Sequence, residues 1–282
     1  MSSGMIASFY GATFVFLLVL HRLLRPILGR GSAQLLGAEN DRAVIAGEAG
    51  NVLALAILAG GVVKANTISE DLATDALWCA VFAALGLVLL ELTCALGNAL
   101  LLHKRLRPSI AAGNAAAGLA AALHAVSMGL LASRAAGGGD LPAVGLALVF
   151  FALAVAAHQV MVGLFRLLTT YDDSEQIEGE NVAAAVSWGG LSLAVAVVVS
   201  RALEGDFVDW PSALGGFGAL SLATLAFYPV RQLLVQGLVL GTRPTFRGGA
   251  LDDAIGVDRN VGAAMLEAAA YVGTALAIRS LA

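Results

Sequence analysis

Charge is scarce in this sequence. Of 282 residues, 13% are Asp, Glu, Lys or Arg, against about 25% in an ordinary soluble domain. There is no basic block and the formal net charge is −4, so the footprint of a nucleic-acid binder is missing. Cysteine is nearly absent. Cys79 and Cys94 share one apolar stretch, and their separation of 15 positions would span about 22 Å of helix. That is too far for a disulfide, so they read as helix-packing residues. There is no phosphate-binding glycine loop, no HExxH, no Ser-His-Asp grouping and no cysteine metal cluster. Nothing points to an enzyme, and no cofactor is expected.

A cleavable leader is also missing from the pattern. Ser8 to Leu20 is apolar, but no basic residue precedes it and Arg22, Arg25 and Arg30 follow it. That order suits a first membrane helix better than a signal peptide.

What the sequence has is long apolar runs. The composition is 59% hydrophobic and the mean hydropathy is +0.85. Runs occur at about 6–21, 42–64, 74–102, 109–133, 142–168, 180–203, 212–240 and 258–281. A helical span of a bilayer needs about 20 residues, and only helices and closed barrels satisfy the backbone in lipid. The runs are continuous and rich in Ala and Leu, not alternating, so the expected fold is all-α. It is a polytopic membrane protein of eight transmembrane helices, with the lipid bilayer as its first partner.

The runs also repeat. The even-numbered ones begin DRAVIAGEAGNVLALAI, SIAAGNAAAGLAAAL, NVAAAVSWGGLSLAVAV and NVGAAMLEAAAYVGTAL. Each starts on a short polar residue, Asp41, Ser109, Asn181 or Asn260, of the kind that accepts hydrogen bonds from a helix's first turn. Small residues follow, which let a neighbouring backbone approach closely. The expected unit is a helical hairpin used four times, all in parallel orientation, and a coarser division gives two membrane units, 1–137 and 138–282. The segments joining each odd run to its even partner carry Arg22, Arg25, Arg30, Arg42, Lys104, Arg105, Arg107, Arg166, Arg243, Arg247 and Arg259. The positive-inside rule places these in the cytoplasm, with both termini periplasmic or exterior.

The stretches from Asn181 and Asn260, and that from Asp41 with Asp in place of Asn, resemble the domain of unknown function 350 family, the YjfL-like bacterial inner-membrane proteins. Its ordinary members look like four-helix proteins with two such hairpins, so this chain resembles two of them fused in tandem. The resemblance implies fold and an inner-membrane location, with genomic association with polyamine-synthesis enzymes as a functional hint. It implies no catalytic residues.

Against this apolar background a few polar residues stand out. Glu48 lies seven positions after Asp41, and Glu267 seven after Asn260; counted from Ser109 and Asn181, the same site is Ala116 and Trp188. Seven residues place each acid about 10 Å along its helix. A charge at mid-bilayer costs at least about 2.5–3.5 kcal/mol and faces other helices or water. The odd runs carry Glu91, then His158 with Gln159, then Arg231 with Gln232. Pro229, just before Arg231, removes a helical hydrogen bond. The acidic stretch YDDSEQIEGEN does not match an EF-hand and reads as a solvated loop.

Two functions fit this pattern. One is a channel or transporter for a cation (a proton, a metal ion or a polyamine), in which Glu48, Glu91 and Glu267 bind or relay. Arg231 would then be the counter-charge, His158 a proton partner, and Gln159 and Gln232 further polar groups of the ion site. Read structurally instead, Arg231 pairs with Glu267 or Glu91, and Gln159 and Gln232 bond across helices, to hold the bundle together. The other is a non-transporting scaffold that forms a homo-oligomer or recruits membrane or cytoplasmic proteins. Which metal, if any, is bound stays open at the level of sequence.

Overall fold

The computed structural model describes residues 3–25, 41–67, 69, 71–102, 106–205 and 207–282. Arg30, Lys104 and Arg105, used above for orientation, lie outside the described residues. The described chain is all helical, and eight of its helices are long and apolar enough to cross a membrane. They are α1 (Ser3–Leu24), α2 (Asp41–Asn66), α3 (Leu72–Leu101), α5 (Ala115–Ala135), α6 (Leu141–Arg166), α8 (Val182–Arg201), α9 (Trp210–Val239) and α11 (Val261–Leu281). Three short helices lie between spans: α4 (Leu106–Ala111), α7 (Asp173–Glu178) and α10 (residues 250–257).

Helices α2, α5, α8 and α11 form an inner row in chain order, and α1, α3, α6 and α9 pack against it as an outer row. Small residues make the inner row so tight. A Cβ added to Gly118 would stand 2.3 Å from the carbonyl oxygen of Ala43, and one added to Gly50 would stand 2.3 Å from Cα of Ala122. Further along, Gly129 meets Ala54 and Gly61 meets Ser133. Residue numbers climb together along both helices, so α2 and α5 run parallel. The same holds for α5 and α8 at Leu123 against Gly189 and Ser127 against Ser192. It holds again for α8 and α11 at Ser187 against Glu267, Gly190 against Ala268 and Ser200 against Arg279. Without a water-driven term between helices in lipid, such close backbone approach is a main source of association. One apolar cluster runs through both halves of the chain, from Leu17 and Leu55 through Ala125 and Ala154 to Val195 and Tyr271.

Helix starts are set by short polar side chains. Asp71, Asp140 and Asp209 open α3, α6 and α9, each accepting a first-turn backbone N–H. At the other end of the bundle the caps are neutral: Asn114, Asn181 and Asn260 open α5, α8 and α11. Asn181 and Asn260 are therefore caps as expected. Ser109 is not. It lies inside α4, and Gly113 (φ +92°) then turns the chain so that Asn114 becomes the cap of α5. Counting from Asn114, the position equivalent to Glu48 and Glu267 is Ala121, not Ala116. The side chain of Asp41 lies outside the described residues.

The Asn caps do a second job. Asn114 Nδ2 donates to the carbonyls of Ile177 and Glu178 at 2.8 and 3.1 Å, and Asn181 Nδ2 donates to that of Ile255 at 2.8 Å. Each interior cap thus clamps the segment that precedes the next inner helix. An Asp could cap equally well but could not donate.

In α9 the winding changes where Pro229 was expected to disturb it. Thr224–Ala226 is a 3₁₀ turn, and Val230–Val239 is wound with i→i+5 hydrogen bonds, which continue in Leu240 N–H to the Val235 carbonyl. Pro229 has no N–H to offer the preceding turn, and the wider winding carries Arg231, Gln232 and Gln236 into the protein.

Candidate functional site: a buried ion network

The polar residues singled out in the apolar runs fall into three groups along the bundle, apart from a fourth at the span ends where Arg134, Arg201 and Arg279 surround Glu204. The largest lies between α6, α8, α9, α10 and α11. Glu267 is 0% exposed, Arg231 3% and Asp252 2%. Arg231 Nε donates to Glu267 Oε1 at 2.5 Å, and its terminal nitrogen donates to Asp252. Tyr271 donates to Glu267 Oε1 at 3.2 Å and Ser187 to Oε2 at 2.5 Å. Ser187 Oγ lies 3.2 Å from the Tyr171 hydroxyl, which accepts from Arg166 Nη2 at 3.0 Å. Arg166 in turn makes a two-pronged ion pair with Asp173. Asp252 closes the far end, accepting from the backbone N–H and hydroxyl of Thr170 at 2.6 and 2.9 Å. The result is an unbroken chain of polar contacts from Asp173 to Asp252 by way of Glu267. Burial holds the Asp173 carboxyl above the usual range for an aspartate, and it pushes the Tyr171 phenol up to about 12.

The second group joins α1, α2 and α3. His21 Nδ1 is 2.6 Å from Glu91 Oε1, and its Nε2 is 3.7 Å from Glu48 Oε2. Arg25 also pairs with Glu48. The third group lies between the other two. His158 Nε2 is 3.1 Å from both the carbonyl and the hydroxyl of Ser192, whose hydroxyl reaches Ser127 at 3.1 Å. His124 sits with its ring centroid 5.9 Å from that of His158 and 5.7 Å from that of Trp188. A Cβ on Gly97 would stand 2.5 Å from His124 Nε2 and 2.9 Å from Gln159 Nε2, so glycine there is what lets the imidazole and the amide approach α3.

The three expected acids do not meet at one place. Glu48 and Glu91 share His21, whereas Glu267 is held by Arg231, Tyr271 and Ser187. Gln232 bonds to Gln236 of its own segment, and among the described residues the amide of Gln159 has no partner. Neither bonds across helices as expected. The acidic stretch after α6 is not simply a solvated loop: Asp173 is buried on Arg166 and begins α7. Sequence reasoning also passed over His21, His124, Ser187 and Asp252. His21 ends an apolar run, and Asp252 sits in a polar connection that folds back beneath the spans as α10. Among the described residues, no group of three His, Cys, Asp or Glu side chains is arranged to hold a metal ion.

Eight apolar helices enclosing these ion networks define a multi-pass integral membrane protein. The chain belongs to the family described as Domain of Unknown Function (DUF350), whose model matches residues 1–136 and again 140–281, two tandem copies. No curated protein and no solved structure matches the chain.

Proposed function

We propose that the protein moves a proton or small cation across the bacterial inner membrane, with Glu267 as the group that takes up and releases it. Transport of this kind needs no nucleophile and no cofactor, in keeping with a non-enzymatic protein. One observation carries the reading. In the largest network three carboxylates, Asp173, Asp252 and Glu267, meet two guanidiniums, Arg166 and Arg231. Among the described residues one negative charge is left over in this buried site, and a buried unpaired charge takes a proton or recruits a cation. The hydroxyls of Tyr171 and Ser187 supply a hydrogen-bonded approach to Glu267. The His21, Glu48 and Glu91 group would serve in the same way, since its charge also changes by one when His21 gains or loses a proton. The basic segments orient the Asn-capped end of the inner row to the cytoplasm, so the termini would be periplasmic.

The test is flux in proteoliposomes of the full chain, read for protons, Na⁺, K⁺, Mg²⁺ and spermidine. Flux of one of these should fall at least about tenfold in Glu267→Gln and fall less in Ser187→Ala. Absence of flux for all five would overturn the proposal. It would favour a second reading, a scaffold for a homo-oligomer or a partner protein, which the closed pairing of Glu48, Glu91 and Glu267 within the bundle supports.

A further inference from the structure

A cleft of about 780 Å³ opens sideways between the last turns of α3 and α6. Its side walls include Leu100, Val160 and Leu164, which are 66%, 57% and 46% exposed. On membrane-spanning helices such residues face hydrocarbon. At the end of the span the cleft turns polar, where Asp172, Ser174 and Arg247 line it.

Two half-buried polar side chains on this wall have shielded polar atoms without partners among the described residues. The Ser174 hydroxyl and both amide atoms of Gln159 make no hydrogen bond there, and such groups normally find one. Two charges at the polar end are also without an opposite among the described residues. Arg247 donates to the Thr169 carbonyl at 3.3 Å and, among the described residues, pairs with no carboxylate. Asp172 accepts the Glu175 N–H at 3.0 Å and, among the described residues, pairs with no cation. Gln159 is seven residues before Arg166, so it lies about 10 Å deeper along α6. From the polar end inward, the cleft offers a cation and an anion, then an amide, beside a wall of apolar side chains facing lipid.

We propose that this cleft binds one phospholipid with a zwitterionic, amine-bearing headgroup, of the phosphatidylethanolamine type. Its phosphate meets Arg247 and the Ser174 hydroxyl, and its ammonium meets Asp172. Its ester carbonyl accepts from Gln159, and an acyl chain lies along Leu100, Val160 and Leu164. An anionic glycerol headgroup would leave Asp172 without a partner and would face its charge. A choline headgroup has no N–H to donate.

The full chain, delipidated in detergent, is mixed with equal amounts of palmitoyl-oleoyl phosphatidylethanolamine, phosphatidylglycerol and phosphatidylcholine, and bound lipid is read by native mass spectrometry. One phosphatidylethanolamine should be retained, about fivefold over either competitor. Arg247→Gln should lower retention of all phospholipids, and Asp172→Asn should erase the preference over phosphatidylglycerol. Gly163 lines the cleft with open space beside its Cα. Gly163→Trp should therefore block retention while leaving the thermal unfolding midpoint of the delipidated protein in place, and Gly163→Leu serves if Trp prevents folding. A preference for phosphatidylglycerol, retention unchanged in the Gly163 variants, or displacement of the lipid by millimolar inorganic phosphate would each overturn the proposal.

Discussion

The hydroxyl of Ser187 on α8 lies 2.5 Å from Oε2 of Glu267 on α11, and both side chains are sealed from solvent. With Arg231 and Tyr271 on Oε1, three donors converge on one carboxylate in the middle of the bundle. The contact joins the two helices at a level where the neighbouring residues, Gly190 and Ala268, let the backbones come close. The same small residues that hold the row together thus bring the acid within reach of α8.

That geometry makes the pair separable by a double-mutant cycle. Glu267→Gln leaves Arg231 with Asp252 alone, and breaking a buried pair costs about 3–5 kcal/mol. Ser187→Ala removes one donor, for about 1–3 kcal/mol. The two changes should be non-additive by about 0.5–3 kcal/mol when unfolding is followed in detergent. Strict additivity would mean that the hydroxyl does not serve this carboxylate.

The close approach of α2 and α5 predicts opposite signs for two glycine changes. A methyl at Gly118 meets the Ala43 backbone, whereas one at Gly273 meets nothing within 4 Å. Gly118→Ala should therefore destabilise by about 1–3 kcal/mol through overpacking. Gly273→Ala should stabilise by about 0.5–1 kcal/mol, the helical advantage of Ala over Gly. Thermal unfolding of the two variants side by side reads the difference, and equal effects would contradict the parallel packing at Ala43.

Outside the spans, two aspartates should give stability slopes of opposite sign. Burial raises the folded-state value of Asp173 above the usual ~3.9. Its ionised form thus weakens the fold above that raised value, and the penalty is relieved as pH falls through it. At Asp209 the Ser212 backbone N–H and side chain lower the folded-state value. Its contribution is present above the ordinary value and is lost as pH falls through the depressed one. Unfolding midpoints measured from pH 7 downward should show Asp173→Asn removing a rise in stability toward acid, and Asp209→Asn removing a fall.

Much of the architecture was legible because lipid imposes a length on every span and tolerates few polar groups. The caps at Asn181 and Asn260 could be read because each stands directly before its small-residue run. Asn114 was hidden: it sits among alanines and glycines, and only the turn at Gly113 shows that a helix has ended before it. The acids were legible as isolated charges in apolar runs, but their partners were not. Asp252 and Asp173 lie in segments whose polarity is that of ordinary loops, and their burial arises only when α10 and α7 fold against α8. Which histidine meets which acid is likewise a matter of which helices become neighbours, and no spacing in the sequence encodes it.

The Asn caps give a prediction that separates capping from clamping. Asn and Asp cap helices about equally well, so on capping alone Asn181→Asp and Asn260→Asp should be alike. Their surroundings differ. Asn181 is fully buried and donates from Nδ2 to Ile255 and to Gln176, at 2.8 and 2.7 Å, whereas Asn260 is exposed and accepts from Ala263 N–H at 3.1 Å. Aspartate at 181 would turn a donor toward two acceptors into a buried charge facing them, an uncompensated loss of at least about 1–3 kcal/mol. Aspartate at 260 keeps the cap, and its charge suits a helix N-terminus. Asn181→Asp should therefore lower the unfolding midpoint and speed backbone hydrogen exchange in α10, while Asn260→Asp should leave both near their starting values. The exchange readout matters because loss of a cap would loosen the first turn of α8. Only loss of the clamp would free Ile255, 74 residues away in the chain.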